Sequence, residues 1–240
     1  MTGMTPRRRP VAGLPSTGRV ALGLLGALLI GYAYGWATSA IPSPSDPEVF
    51  WVANLAAPFV VLPFAVASWV DRRWGAGPAT AVSSGAIVGA GMVAGFYGLH
   101  RVGRDPSADP GHAETVAGAY ARWLSTFVLG RPGGIPWLTI GITVGCVAGL
   151  LAWLWSRRAA RWAGLLGVSP LLIEPSARIT LGARGIPLAG GYPRLPGNVA
   201  IWALEAAVGG VAVWLTVRAH AGARPSSRSR GDREEAVGAA

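Results

Sequence analysis

Apolar residues in this chain fall in long uninterrupted runs, not in the alternating or one-faced patterns of soluble strands and helices. Runs over residues 20–41, 49–70, 79–99, 135–155 and 199–217 each hold about 19–22 residues. A bilayer core of ~30 Å takes about 20 residues at ~1.5 Å of helical rise, so each run predicts a membrane-spanning helix. The first exceeds the roughly 7–15 residues of a signal-peptide core and reads as a retained helix, although Ala37-Thr38-Ser39-Ala40 has the small residues of a cleavage site. A further segment, 162–181, is ambiguous. Its apolar part, 162–173, reaches only ~18 Å, and extending it to Leu181 takes in Pro170, Glu174, Pro175 and Arg178.

Arginine placement decides the count, because cytoplasmic connections carry the excess of positive charge. If 162–181 crosses, 14 of the 21 basic residues fall on one side, and if it does not, the tail changes sides and only 9 do. Six crossings with both termini cytoplasmic is the expected topology. Tryptophans agree with it as two interfacial belts: Trp36, Trp51, Trp137 and Trp202 at outer helix ends, and Trp69, Trp74, Trp153, Trp155, Trp162 and Trp214 at inner ones.

Composition removes the soluble alternative. Only 13% of residues are charged and 51% are hydrophobic, whereas a soluble domain carries about 25% charge. The net charge of +10 comes entirely from Arg, since the chain has no Lys. The Arg residues sit beside apolar runs as topology determinants, so no nucleic-acid partner is expected; the expected partner is the lipid bilayer. Cys146 stands alone within an apolar run, which leaves no disulfide framework and no thiolate metal site. Residues 1–19 read as a basic disordered leader and 218–240 as a disordered cytoplasmic tail. The fold class is therefore all-α: a polytopic helix bundle over residues 20–217 in a bacterial plasma membrane, with 100–134 as its outer loop.

Within that loop Val116, Tyr120, Leu124 and Phe127 recur at helical spacing beside Trp123, with Glu114, Arg122 and Ser125 opposite. Asp109-Pro110 is a suitable N-cap and first-turn pair. Two readings fit: an amphipathic helix on the outer interface, or a helical loop packed on the bundle. Small residues recur every four positions at Gly31/Gly35, Gly85/Gly89, Gly91/Gly95 and Gly141/Gly145/Gly149. Such spacing lets helix backbones approach closely, which predicts tight packing within one bundle, with a homo-oligomer or membrane-protein partner as the other use of these faces.

Intramembrane polar groups are the best clue to function, because a carboxylate in hydrocarbon costs several kcal/mol unless paired or protonated. Asn54, Glu174 and Glu205 fall on three helices at comparable depth outward of the middle and define a candidate site. Pro58 and Pro63 free backbone carbonyls near Asn54, and Pro170 and Pro175 flank Glu174 as in the interrupted helices of transporters. The plainer alternatives are a Glu174–Arg178 pair on one helix face, Glu205 as interhelical glue, and a short helix ending at a Pro-containing loop. His100, Asp105, Asp109, His112 and Glu114 are metal-competent types without a diagnostic spacing, so neither metal nor cofactor is expected. The sequence has no His-Glu-x-x-His and no Gly-x-Ser-x-Gly. Ser83 and Ser84 lack a His within any span to activate them.

Several segments together make the chain similar to a family of six-helix bacterial integral membrane proteins grouped as a domain of unknown function. They are Asn54 opening the second helix, Gly95-Phe96-Tyr97-Gly98 closing the third, Leu171-Leu172-Ile173-Glu174, and Trp202-Ala203-Leu204-Glu205. The resemblance spans about 20–217 and implies the fold without an activity. The expectation is a non-enzymatic membrane protein, as an accessory or partner subunit. The alternative is a small-molecule transporter or substrate-binding membrane subunit with an outward-opening site at Asn54, Glu174 and Glu205. A weaker third reading puts chemistry in the outer loop at His100 or His112.

Overall fold

The computed structural model describes residues 16–40, 57–74, 77–99, 102, 115–131, 134–158, 160–183 and 199–221. Among these the regular elements are all helices: α1 (Ser16–Ser39), α2 (Ala57–Trp74), α3 (Gly77–Phe96), α4 (Val116–Leu129), α5 (Trp137–Arg158), α6 (Arg161–Val168), α7 (Pro170–Ala183) and α8 (Val199–Ala221). Four helical stretches are long and apolar enough to cross a membrane: Thr17–Ser39, Gly77–Phe96, Trp137–Arg158 and Trp202–Ala219. They match the first, third, fourth and last expected spans. Of the second expected span, only the part from Ala57 lies within the described residues, and α2 runs on through the charged Asp71, Arg72 and Arg73.

The ambiguous segment is two helices, α6 and α7, meeting at Ser169. The break follows from Pro170, which has no N–H to give to the carbonyl four residues back. That carbonyl is Leu166, and the Ser169 hydroxyl donates to it instead at 3.1 Å. The buried positions nevertheless continue across the break: Ala163, Gly164, Gly167, Val168, Leu171, Glu174 and Pro175 repeat at helical spacing. The two helices thus share one packed face.

α3 is the centre of the bundle, between α1 and α5. Its contacts are made backbone to backbone. On one side a Cβ at Gly31 would meet the Val88 carbonyl and one at Gly35 the Met92 carbonyl, while Gly91 and Gly95 press on Leu28 and Tyr32 of α1. On the other side Gly85 and Gly145 face each other's carbonyls, Gly89 faces Gly141, and Gly149 faces Ala81. All nine recurrent glycines therefore pack inside this chain, as a lipid solvent without a hydrophobic drive between helices requires. α2 lies over α3 and α5, giving two small cores: Ala27, Val66, Val70, Val88 and Met92, and Phe64, Ala67, Ala148, Ala152 and Val168.

α4 provides the helix expected within residues 100–134. Its N-cap is Thr115, whose side chain accepts from Gly118 N–H, and it ends at Gly130 with φ +69°; Asp109 lies outside the described residues. The buried positions are Ala119 and Trp123. The Trp123 indole donates to the Tyr97 carbonyl at 3.3 Å, and the tilted Phe127 and Tyr97 rings lie 4.5 Å apart. Val116, Tyr120 and Leu124 are exposed, on the side an interfacial helix turns to lipid, while Ala119 and Trp123 pack inward.

Candidate intramembrane polar site

The buried face of α8 runs Trp202, Glu205, Gly209, Thr216, a helical stripe. Gly209 accepts the Leu171 and Leu172 side chains of α7 so closely that a Cβ there would stand 2.8 Å from Leu172. This contact carries Glu174 of α7 and Glu205 of α8 into the same interior, where they are 8% and 7% exposed. Trp202 shares that interior at 3% exposed, so it leaves the outer aromatic belt in which the sequence placed it.

Glu174 reaches α2. Its Oε2 accepts the Ala57 N–H at 2.6 Å, and Ala57 is fully buried at the start of that helix. The first-turn N–H groups of a helix have no partner within it, and the next residue, Pro58, has no N–H to give. The helix start also carries partial positive charge, which favours a carboxylate. A charge-assisted bond of this length explains how a carboxylate stays in an otherwise apolar interior, and it ties α7 to α2.

Tyr34 of α1 packs against the first core. Glu174 and Glu205 thus form one group at the α7–α8 contact, closed against α2 at Ala57. Glu205 sits six residues after the start of α8, and Ala57 at the first residue of α2. The group therefore lies toward the bundle end opposite the Arg clusters. Two of the three residues expected to meet are brought together. The third, Asn54, lies outside the described residues, as do the Arg178 side chain and its expected pairing with Glu174.

A second polar centre occupies the opposite end of the bundle. Asp71, fully buried at the C-terminal end of α2, accepts from Ser156 Oγ at 2.5 Å and from Arg157 Nε at 2.9 Å. Arg157 Nη2 also donates to the Asp71 backbone carbonyl at 3.0 Å. Beside it the Arg72 guanidinium lies 3.9 Å from the Trp155 ring centroid. Sequence reasoning used these arginines only to orient the chain. The available signal was the single acid in Asp71-Arg72-Arg73-Trp74 and the matching Ser156-Arg157-Arg158.

Among the described residues no group of three His, Cys, Asp or Glu is placed to hold a metal. His100, Asp105, Asp109, His112 and Glu114 lie outside the described residues. Cys146 is free and half-buried. No family model, curated protein or solved structure matches the chain.

Proposed function

We propose that the chain is a six-crossing integral membrane protein of the bacterial plasma membrane, with both termini cytoplasmic and no catalytic activity of its own. In this reading Asn54, Glu174 and Glu205 contribute the outward-opening site of a small-molecule transporter or substrate-binding membrane subunit. The burial of two carboxylates on the neighbouring helices α7 and α8 carries it, since intramembrane ionisable groups persist where they serve a pathway or a ligand. Six crossings are supported by the shared packed face of α6 and α7, a unit of ~34 Å at helical rise, and by the gathering of Arg-bearing ends. Asp71–Arg157 joins the ends of α2 and α5, and Gly164 of α6 lies against Trp155 of α5 and Thr216 of α8.

The test is a thermal-stability screen of small molecules on the detergent-purified protein beside Glu174→Gln and Glu205→Gln. A ligand that stabilises the wild type and neither folded variant supports the site, because selective binding raises apparent stability by mass action. A second reading, an accessory or partner subunit, is favoured by the bond that already commits Glu174 to the Ala57 N–H, a use that is structural. It wins if no compound stabilises the wild type while both variants melt at lower temperature. Membership in the six-helix family of unknown function is part of the same proposal and rests on the segments at Asn54, Gly95–Gly98, Leu171–Glu174 and Trp202–Glu205.

A further inference from the structure

We propose that the Arg end of the bundle carries a specific site for an anionic phospholipid, with its headgroup phosphate on Arg158 and Arg161 and an acyl chain along α6 and α7. This rests on the membrane reading and goes beyond it by naming a headgroup class and the residues that hold it.

The Arg residues at this end are not equivalent. Arg157 is taken by Asp71 through both a side-chain and a backbone bond, so its charge is largely answered within the protein. Arg158 is exposed and held by a cation–π contact 5.5 Å from the Trp153 ring centroid, which orients the guanidinium and leaves its charge unanswered. Arg161 opens α6 three residues later and is also exposed. The acids with described side chains are Asp71, already engaged, and Glu174 and Glu205 at the other end. Two exposed arginines thus stand three positions apart in the chain, each with the planar guanidinium fork suited to phosphate.

The surface of α6 and α7 beyond these arginines fits a lipid better than a free anion or a nucleic acid. Trp162, next to Arg161, is 56% exposed, and indoles favour the headgroup level. One turn further, Leu165 and Leu166 are exposed, and Ile173 continues the same line at 61%. Basic group, indole and alkyl strip occur in the order of an anionic lipid's phosphate, glycerol and chain. Polar nucleic acid would gain nothing from the strip.

The experiment titrates detergent-purified full-length protein with short-chain phosphatidylglycerol, phosphatidylcholine, glycerol phosphate or a duplex oligonucleotide, following the melting temperature. Phosphatidylglycerol is expected to raise it saturably and above phosphatidylcholine. In R158Q/R161Q the apparent affinity should fall about 30-fold, from two lost charges near the surface, while R158K/R161K keeps most of it. Equal stabilisation by the two lipids overturns the headgroup site and leaves the membrane reading standing; stabilisation by neither overturns both. Glycerol phosphate matching phosphatidylglycerol shows that the acyl strip contributes nothing and overturns the lipid as occupant. A shift by the oligonucleotide alone, or an unchanged lipid preference in R158Q/R161Q, also overturns the proposal.

Discussion

The Asp71–Arg157 pair makes an asymmetric prediction, because its two members differ in burial. The carboxylate is fully buried while the guanidinium side chain is 44% exposed. Replacing Arg157 by Ala removes the 2.9 Å Nε bond and the 3.0 Å bond to the Asp71 carbonyl, and it leaves a buried charge with only Ser156 for support. Stranding one member of a buried pair costs about 3–5 kcal/mol; the half-exposed partner puts this case at about 3 kcal/mol. Asp71→Asn keeps an acceptor for Ser156 and releases a guanidinium that water can reach. Its cost is one charge-assisted bond made neutral, about 1–1.5 kcal/mol. In the double variant no charge is stranded, so it should be more stable than Arg157→Ala alone, with a coupling of about 1 kcal/mol or more. Reversible unfolding in mixed micelles with increasing SDS, followed by tryptophan fluorescence, measures all three. An Arg157→Ala cost no larger than that of Asp71→Asn, or losses that simply add, would refute the asymmetry.

Other expectations arise from the same contacts. Gly145→Ala drives a Cβ onto the Gly85 carbonyl and should destabilise by about 1–3 kcal/mol as an overpacked site; Gly26→Ala and Gly210→Ala, with open space around the new Cβ, should be neutral or slightly stabilising in the same unfolding assay. Trp123→Ala removes the bond to the Tyr97 carbonyl and the stack with Phe127, so α4 should become cleavable by trypsin at Arg122 while the spanning helices stay protected. Glu174→Gln retains an acceptor for the Ala57 N–H and should cost about 1 kcal/mol, whereas Glu174→Leu, which leaves that buried N–H without its carboxylate, should cost about 2–3 kcal/mol.

Much of this architecture could be read along the chain because lipid imposes a simple code. Runs of about 20 apolar residues became α1, α3, α5 and α8, and glycines spaced by four became the α1–α3 and α3–α5 contacts. Glu174 and Glu205 stood out because carboxylates are rare in apolar runs. What escaped reading depended on partners far apart in sequence. The Asp71–Arg157 pair spans 86 positions, and each arginine beside a membrane run already had a sufficient explanation as a topology determinant. The docking of α4 escaped because the Tyr97 carbonyl that takes the Trp123 indole N–H lies 26 positions earlier. Trp202 was assigned to a belt by its position near a helix end, whereas its register with Glu205 and Gly209 turns it inward.

The order in which α1 finds its neighbour has a consequence for biogenesis. Its main partner is α3, not the α2 that comes next in the chain, so its docking surface on α3 is complete only when the chain has been extended from Ser39 through Phe96. At about 5–20 residues per second, roughly 60 residues take about 3–12 s, and during that interval the Gly31/Gly35 face has no intramolecular partner. A nascent chain with that face bare is open to pairing with the first helix of a neighbouring nascent chain on the same message. Slowing synthesis between residues 40 and 77 should therefore raise the yield of crosslinked α1–α1 species, and pre-docking a separately supplied α3 segment should suppress it.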